Sequence, residues 1–143
     1  MATASQVRRT FDASFASALV VPSQRNPTAE AVMREPLVEL VAPSILRQEV
    51  HHLLLRAERR REWPVGESLR MVRAFRGLPI QYYHDEGWVE RAYDLARVLG
   101  TGLFDTIYLV AAEDLEAELW TLDQRFLRAL RGRYGDRVRT VPS

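Results

Sequence analysis

Short apolar runs alternate with longer amphipathic stretches along this chain, and that alternation restricts how both can be buried. Leu37 to Ala42 is mostly apolar and is stopped by Pro43, as suits a buried strand. Ser44 stands where it would cap a long helix reaching about Glu62. Val65 to about Arg76 has helical spacing, Ile80 to Tyr83 is strand-like, and Asp85 to Leu99 reads as a helix closed by Gly100 and Gly102. Leu103 to Leu115 is apolar on nearly every side, which predicts a buried helix. Glu118 to Leu122 is strand-like, Asp123 opens a helix to about Tyr134, and Val138 to Val141 is a last short strand. Nearer the start, Val7 to Phe11 is a strand interrupted by Arg8 and Arg9, Ser14 to Val20 a short helix, and Thr28 to Glu35 another helix after a Pro-containing loop.

Strands separated by helices of this length imply an α/β fold of three layers, with a central, mostly parallel sheet of about five strands and helices on both faces. The 143 residues contain no repeat, low-complexity tract or linker, so a single domain spanning 1–143 is expected. In such sheets the ligand crevice lies at the carboxyl ends of the strands, where the strand order reverses. Residues just past the strands are therefore the ones to weigh.

Composition removes several chemistries. All 20 basic residues are Arg, which excludes a P-loop lysine, a Schiff-base lysine and the usual phospho-receiver site. There is no Cys, so thiol nucleophiles, thiolate zinc sites and disulfides are excluded as well. His51, His52 and His84 lack zinc-ligand spacing, and Glu49 with His52 has no second such pair to make a di-iron bundle site. Gly100 and Gly102 lack the third glycine of a dinucleotide loop, and no serine-hydrolase elbow is present. Met1 to Arg9 has no signal-like apolar core, and no run approaches the ~20 apolar residues of a membrane span. A soluble, cytoplasmic protein is expected.

Four acids stand where this pattern favours apolar side chains or caps. Asp12 follows the first strand and Asp123 the strand containing Trp120; each is equally a helix N-cap by position. Glu49 falls at the border of the stripe Leu46, Val50, Leu53, Leu54 and Ala57, where it either pairs with Arg47 or a neighbouring helix or joins a site. Asp105 lies in an apolar helix, where an ionised carboxylate is costly unless capped, paired or bound to a cation. Together they form a candidate oxygen-ligand site for Mg²⁺ or Mn²⁺, of the kind that hydrolyses phosphodiesters.

The segments Phe11-Asp12-Ala13-Ser14, Leu46-Arg47-Gln48-Glu49-Val50, Phe104-Asp105-Thr106-Ile107-Tyr108-Leu109 and Leu119-Trp120-Thr121-Leu122-Asp123, in that order, resemble the PIN-domain nucleases. Among these they look most like the VapC-type toxins of prokaryotic toxin–antitoxin pairs, and the resemblance spans Phe11 to Val141. It implies a PIN-like fold and an endoribonuclease. Asp12, Glu49, Asp105 and Asp123 would hold one or two Mg²⁺ or Mn²⁺ ions, with Asp12 and Asp105 as direct ligands. Ser14 and Thr121 would support them by hydrogen bonds. An antitoxin protein and a homodimer are the partners implied, with RNA as substrate. The departure from the family pattern is the first strand, which is usually continuous and apolar but here carries Arg8 and Arg9. Two other readings keep the same fold: an RNA-binding module without turnover, and a metal-dependent nuclease acting on DNA.

The formal net charge of +1 conceals a division. Arg56 to Arg76 has 7 Arg and 3 acids and Leu119 to Ser143 has 6 Arg and 2 acids, whereas Asp85 to Glu118 has 2 Arg and 9 acids. The positive segments, with Arg47 and Arg125 nearer the acids, are candidate phosphate contacts, although Arg near helix C-termini is also favoured by the helix dipole. Tyr82, Tyr83, Trp88, Trp120 and Phe126 are candidates for base stacking, but aromatics at such positions also serve as core.

Overall fold

The computed structural model describes residues 6–143; part of the stretch read for a leader, residues 1–5, lies outside them. The order is β1 (Val7–Phe11), α1 (Ala13–Val20), a short 3-10 turn (Pro22–Gln24), α2 (Pro27–Met33), β2 (Val38–Pro43), α3 (Ile45–Arg59), α4 (Val65–Arg76), β3 (Ile80–Tyr83), α5 (Glu86–Leu99), α6 (Leu103–Asp114), β4 (Glu118–Trp120), α7 (Gln124–Leu130) and β5 (Val138–Arg139). The five strands form one sheet in the order β3-β2-β1-β4-β5, and every pairing is parallel. This is the expected α/β sheet.

Alternation along β2 separates the two faces. Leu40 and Ala42 pack with α1, α3 and α4, including Phe15, Leu46, Leu54 and Phe75. Val41 points the other way, against Trp88 and Ala92 of α5 and Ile107, Val110 and Ala111 of α6. The α6 helix lies between the sheet and α5 and is buried without interruption from Thr106 to Ala112, which explains its lack of a polar face. The Thr106 hydroxyl donates to the Ala92 carbonyl at 2.8 Å and holds the two helices together. Among the described residues no single helix is long and apolar enough to cross a membrane; α5 and α6 pass that test only together, bent by 119°.

The two Arg of β1 do lie in the central strand, and the register accounts for them. Arg8 stands opposite Glu39 and Arg9 opposite Glu118. Arg8 Nε lies 3.3 Å from Glu39. Arg9 lies 2.7 Å from Glu118 and 2.8 Å from Glu35, and also donates to the Val32 carbonyl at 2.7 Å. Its guanidinium sits 5.4 Å from the Trp120 ring centroid. The charges are confined to the amino-terminal half of the strand, so Thr10 and Phe11, next to the site, are fully buried.

Several boundaries differ from expectation. Ser44 does not cap α3: its backbone is already helical, at φ −57° and ψ −24°, whereas an N-cap residue is extended. Its amide donates instead to the Tyr83 carbonyl at 2.8 Å. The α3 helix stops at Arg59 rather than near Glu62, because Arg61 turns left-handed at φ 58° and Glu62 N–H reaches back to the Ala57 carbonyl at 3.0 Å. Similarly α7 ends at Leu130 and not near Tyr134, closed by Arg131 at φ 52° and Gly132 at φ 76°. The β4 strand ends at Trp120, freeing Thr121 and Leu122 to turn toward α1.

Candidate active site

The chain adds β2 and β3 on one side of β1, then crosses through α5 and α6 to add β4 and β5 on the other. The crevice of such a sheet opens where that reversal occurs, above the carboxyl ends of β1 and β4. Asp12 leaves β1 at this point. It caps α1 through Phe15 N–H, 3.1 Å from Oδ1, and the Ser14 hydroxyl donates to the same oxygen at 2.6 Å. Oδ2 accepts from the Thr121 hydroxyl. The residue is only 5% exposed. Burial pushes its carboxyl up to about 6; the bonds from Ser14, Thr121 and Phe15 pull the other way, and the charge of Asp105 adds to the rise.

The loop after β4 is tied into the same network. Asp123 N–H donates to Thr121 Oγ1 and Leu122 N–H to Ser14 Oγ, each at 3.0 Å. Thr121 therefore accepts from one end of this loop while donating to Asp12. Asp123 caps α7, its Oδ1 accepting from Phe126 N–H at 3.1 Å. For both Asp12 and Asp123 the cap and the site are thus compatible, because a carboxylate has lone pairs to spare after one cap bond.

Asp105 occupies the first turn of α6 and is half-buried. Thr101 Oγ1 donates to its Oδ2 at 2.9 Å. Burial raises its pKa, Thr101 and the Gly102 amide oppose this, the charge of Asp123 raises it further, and Arg125 on α7 offsets part of the rise. Glu49, on α3, faces the same place. Its pKa is raised by burial and by the charges of Asp12 and Asp105, against the hydrogen bond from Tyr108, whose hydroxyl lies 2.6 Å from Oε1.

The four sequence-predicted acids therefore share one electrostatic neighbourhood: Asp12 with Asp105, Glu49 with both, and Asp105 with Asp123. Ser14 and Thr121 lie against Asp12. Among the described residues no three Asp, Glu or His side chains stand close enough to form a ready-made cation cage. The donors available are all hard carboxylate and hydroxyl oxygens, which suit Mg²⁺ or Mn²⁺ and not a soft metal.

Glu49 is paired with a neighbouring helix and not with Arg47. The Arg47 guanidinium stacks 4.5 Å above the Tyr82 ring instead. Arg125 is exposed at the start of α7. Trp88, Trp120 and Phe126 are core, at 5%, 8% and 1% exposure, and no base can stack on them.

Sequence reasoning missed Tyr108. Burial, and then the charge of Glu49, hold its pKa far above the ordinary value, so it remains a donor. A tyrosine inside an apolar helix needs a partner for its hydroxyl, and its place one turn after Asp105 was the available signal. Phe104 was also missed; it is 48% exposed beside the carboxylates.

A family model for the PIN domain matches residues 10–131. No curated protein matches the chain. Among solved structures, a protein from Pyrobaculum aerophilum is 17% identical with a TM-score of 0.64, over 86% of this chain and 79% of that one. A toxin–antitoxin complex from Klebsiella pneumoniae gives 18% identity and a TM-score of 0.61, over 94% of this chain and 96% of its counterpart. The sarcin-ricin loop cleaving VapC toxin of Mycobacterium tuberculosis gives 16% and 0.61, over 84% and 93%. At these identities the likeness is one of fold.

Proposed function

The chain belongs to the PIN domain family, and from that footing we propose that it is a Mg²⁺- or Mn²⁺-dependent endoribonuclease, a single cytoplasmic domain acting as the toxin of a type II toxin–antitoxin pair. The observation that supports this reading is that Asp12 and Asp123 stand past the ends of β1 and β4, joined through Thr121, with Glu49 and Asp105 near enough for the charges of neighbouring acids to act on one another. Acids that repel one another in a half-buried pocket favour a divalent cation as their neutralising partner. When bound, that cation supplies charge neutralisation and Lewis acidity for hydrolysis of a phosphodiester.

The chain's own residues have distinct tasks. Asp12 and Asp105 present oxygens as direct ligands, while Glu49 and Asp123 complete the acidic rim. Ser14 and Thr121 orient both oxygens of Asp12, and Thr101 orients Asp105. Tyr108 holds Glu49 by Oε1, which leaves Oε2 available as a donor to a cation. Arg125, whose charge acts on Asp105, and the exposed Arg47 attract phosphates that the acids alone would repel. An antitoxin that covers the acidic crevice and a homodimer are the proposed protein partners; similarity to the Klebsiella pneumoniae complex supports the first.

The test is incubation of the purified protein with single-stranded RNA and, separately, matched DNA, in Mn²⁺ and in EDTA. The reading predicts internal cuts in RNA with Mn²⁺, none in EDTA, and none by Asp105→Asn. Equal cutting by that variant, or cutting of DNA alone, contradicts it.

A further inference from the structure

The acidic crevice continues into a groove along one face of α3. A cavity of about 570 Å³ is lined by Ala13, Glu49, His52, Leu53, Arg56 and Phe104 among others. A second, of about 280 Å³, shares Leu53 and Arg56 with it and runs on to Arg60, Glu62 and Trp63. Glu49, Leu53, Arg56 and Arg60 recur at helical spacing, so they form one stripe. At ~1.5 Å per residue, Arg56 lies about 10 Å and Arg60 about 16 Å beyond Glu49 along the helix. The groove thus grades from carboxylate to guanidinium over the length of a few nucleotides.

Two features point to its occupant. Arg56 and Arg60 have no acidic partner within 4.0 Å among the described residues, unlike Arg8, Arg9, Arg25, Arg91 and Arg139. Phe104 is 48% exposed, whereas the other four phenylalanines are at most 1% exposed. An aromatic wall beside the acids and two free guanidinium groups further along match what a single strand offers, which is a base face and then phosphates.

We propose that this α3 groove seats the single-stranded flank of the RNA next to the scissile phosphate, with one nucleobase against Phe104 and the following phosphates at Arg56 and Arg60. The proposal rests on the nuclease reading for its substrate. Phe104 is then a specificity-determining residue that selects for an unpaired base, since a base in a duplex has no free face to stack. Charge complementarity favours a polyanion over a protein segment, and the acids at the head of the groove leave the phosphate contacts to its far end.

The test is fluorescence anisotropy with a fluorescein-labelled single-stranded RNA in EDTA, where binding is read without turnover, followed by cleavage kinetics in Mn²⁺. Phe104→Ala is expected to weaken binding about tenfold, while Phe104→Trp retains it. An abasic RNA lacking the stacked base should bind the wild type and Phe104→Ala equally. Arg56→Ala with Arg60→Ala should flatten the dependence of log affinity on log salt by about 1.4. In cleavage, Phe104→Ala should raise KM and leave kcat nearly unchanged. Unchanged RNA affinity in both variants overturns the proposal, as does loss of binding to a protein partner with RNA affinity intact. These outcomes are separable from failure of the nuclease reading, which Asp105→Asn tests by turnover alone.

Discussion

The Tyr108 hydroxyl donates to Glu49 Oε1 at 2.6 Å and so ties α3 to α6, the helix that also carries Asp105. The bond fixes the separation of two acids that otherwise repel. Removing the hydroxyl in Tyr108→Phe leaves the ring packing intact but deprives the ionised Glu49 of its donor. The expected result is a fall of about tenfold in Mn²⁺ affinity, with the pKa of Glu49 rising further. Calorimetric Mn²⁺ titration as a function of pH measures both.

Asp12 has a definite pH signature. Its carboxyl is raised from 3.8 to about 6 in the folded chain, so the native state holds more protons than the unfolded state between those values. Stability without metal therefore falls as pH rises through that window, by up to about 3 kcal/mol from this group. Asp12→Asn removes this contribution. The variant should gain on the wild type between pH 4 and 7 when both are unfolded by urea in EDTA; a pH-independent difference refutes the assignment. Above about pH 6 the ionised Asp12 is ready for a cation, so Mn²⁺ affinity should climb up to that pH and then level.

Thr121 joins both sides of the crevice, accepting from Asp123 N–H and donating to Asp12. Thr121→Val leaves that part-buried amide and one buried carboxylate oxygen of Asp12 without their partner, which costs about 1 to 3 kcal/mol. It should also raise the Asp12 pKa, shifting the pH dependence of Mn²⁺ binding to higher pH. Thermal unfolding and the same titration check the two effects separately.

The paired Arg of β1 should differ in their contributions. The Arg9 side chain is 12% exposed and bridges Glu118 and Glu35, whereas Arg8 is 40% exposed, with one acidic partner at 3.3 Å and a bond to the Leu115 carbonyl at 3.1 Å. Arg9→Ala is expected to destabilise by about 2 kcal/mol, since it removes three hydrogen bonds from a mostly buried side chain, while Glu118 keeps Arg139 at 2.8 Å. Arg8→Ala should cost less than about 1 kcal/mol, because its pair is screened by water. Urea unfolding of each variant gives the comparison.

Much of this was legible in the sequence where the information is local. Ile80–Tyr83 and Val65–Arg76 have the predicted bounds, because a turn or breaker flanks each and their periodicity is unmixed. Helix ends were less legible where Arg61 and Arg131 take left-handed backbone in place of glycine, a choice set by how far the buried stripe of each helix extends. Ser44 misled because a cap depends on backbone dihedrals that a strand running straight into a helix does not provide. The acids were found singly by their conflict with the surrounding pattern. Their mutual coupling, the pairing of Arg9 with Glu118 and the bond from Tyr108 to Glu49 depend on register and topology, which link residues from 18 to 109 positions apart.

The proposed role of Asp12, Glu49, Asp105 and Asp123 as one cation-holding cluster stands or falls on Mn²⁺ titration of the wild type and of Asp12→Asn, Glu49→Gln, Asp105→Asn and Asp123→Asn at pH 7.5. The prediction is saturable binding by the wild type, with at least tenfold weaker binding in each variant. Absence of Mn²⁺ binding by the folded wild type, or affinity unchanged in Asp12→Asn and Asp105→Asn, contradicts the claim.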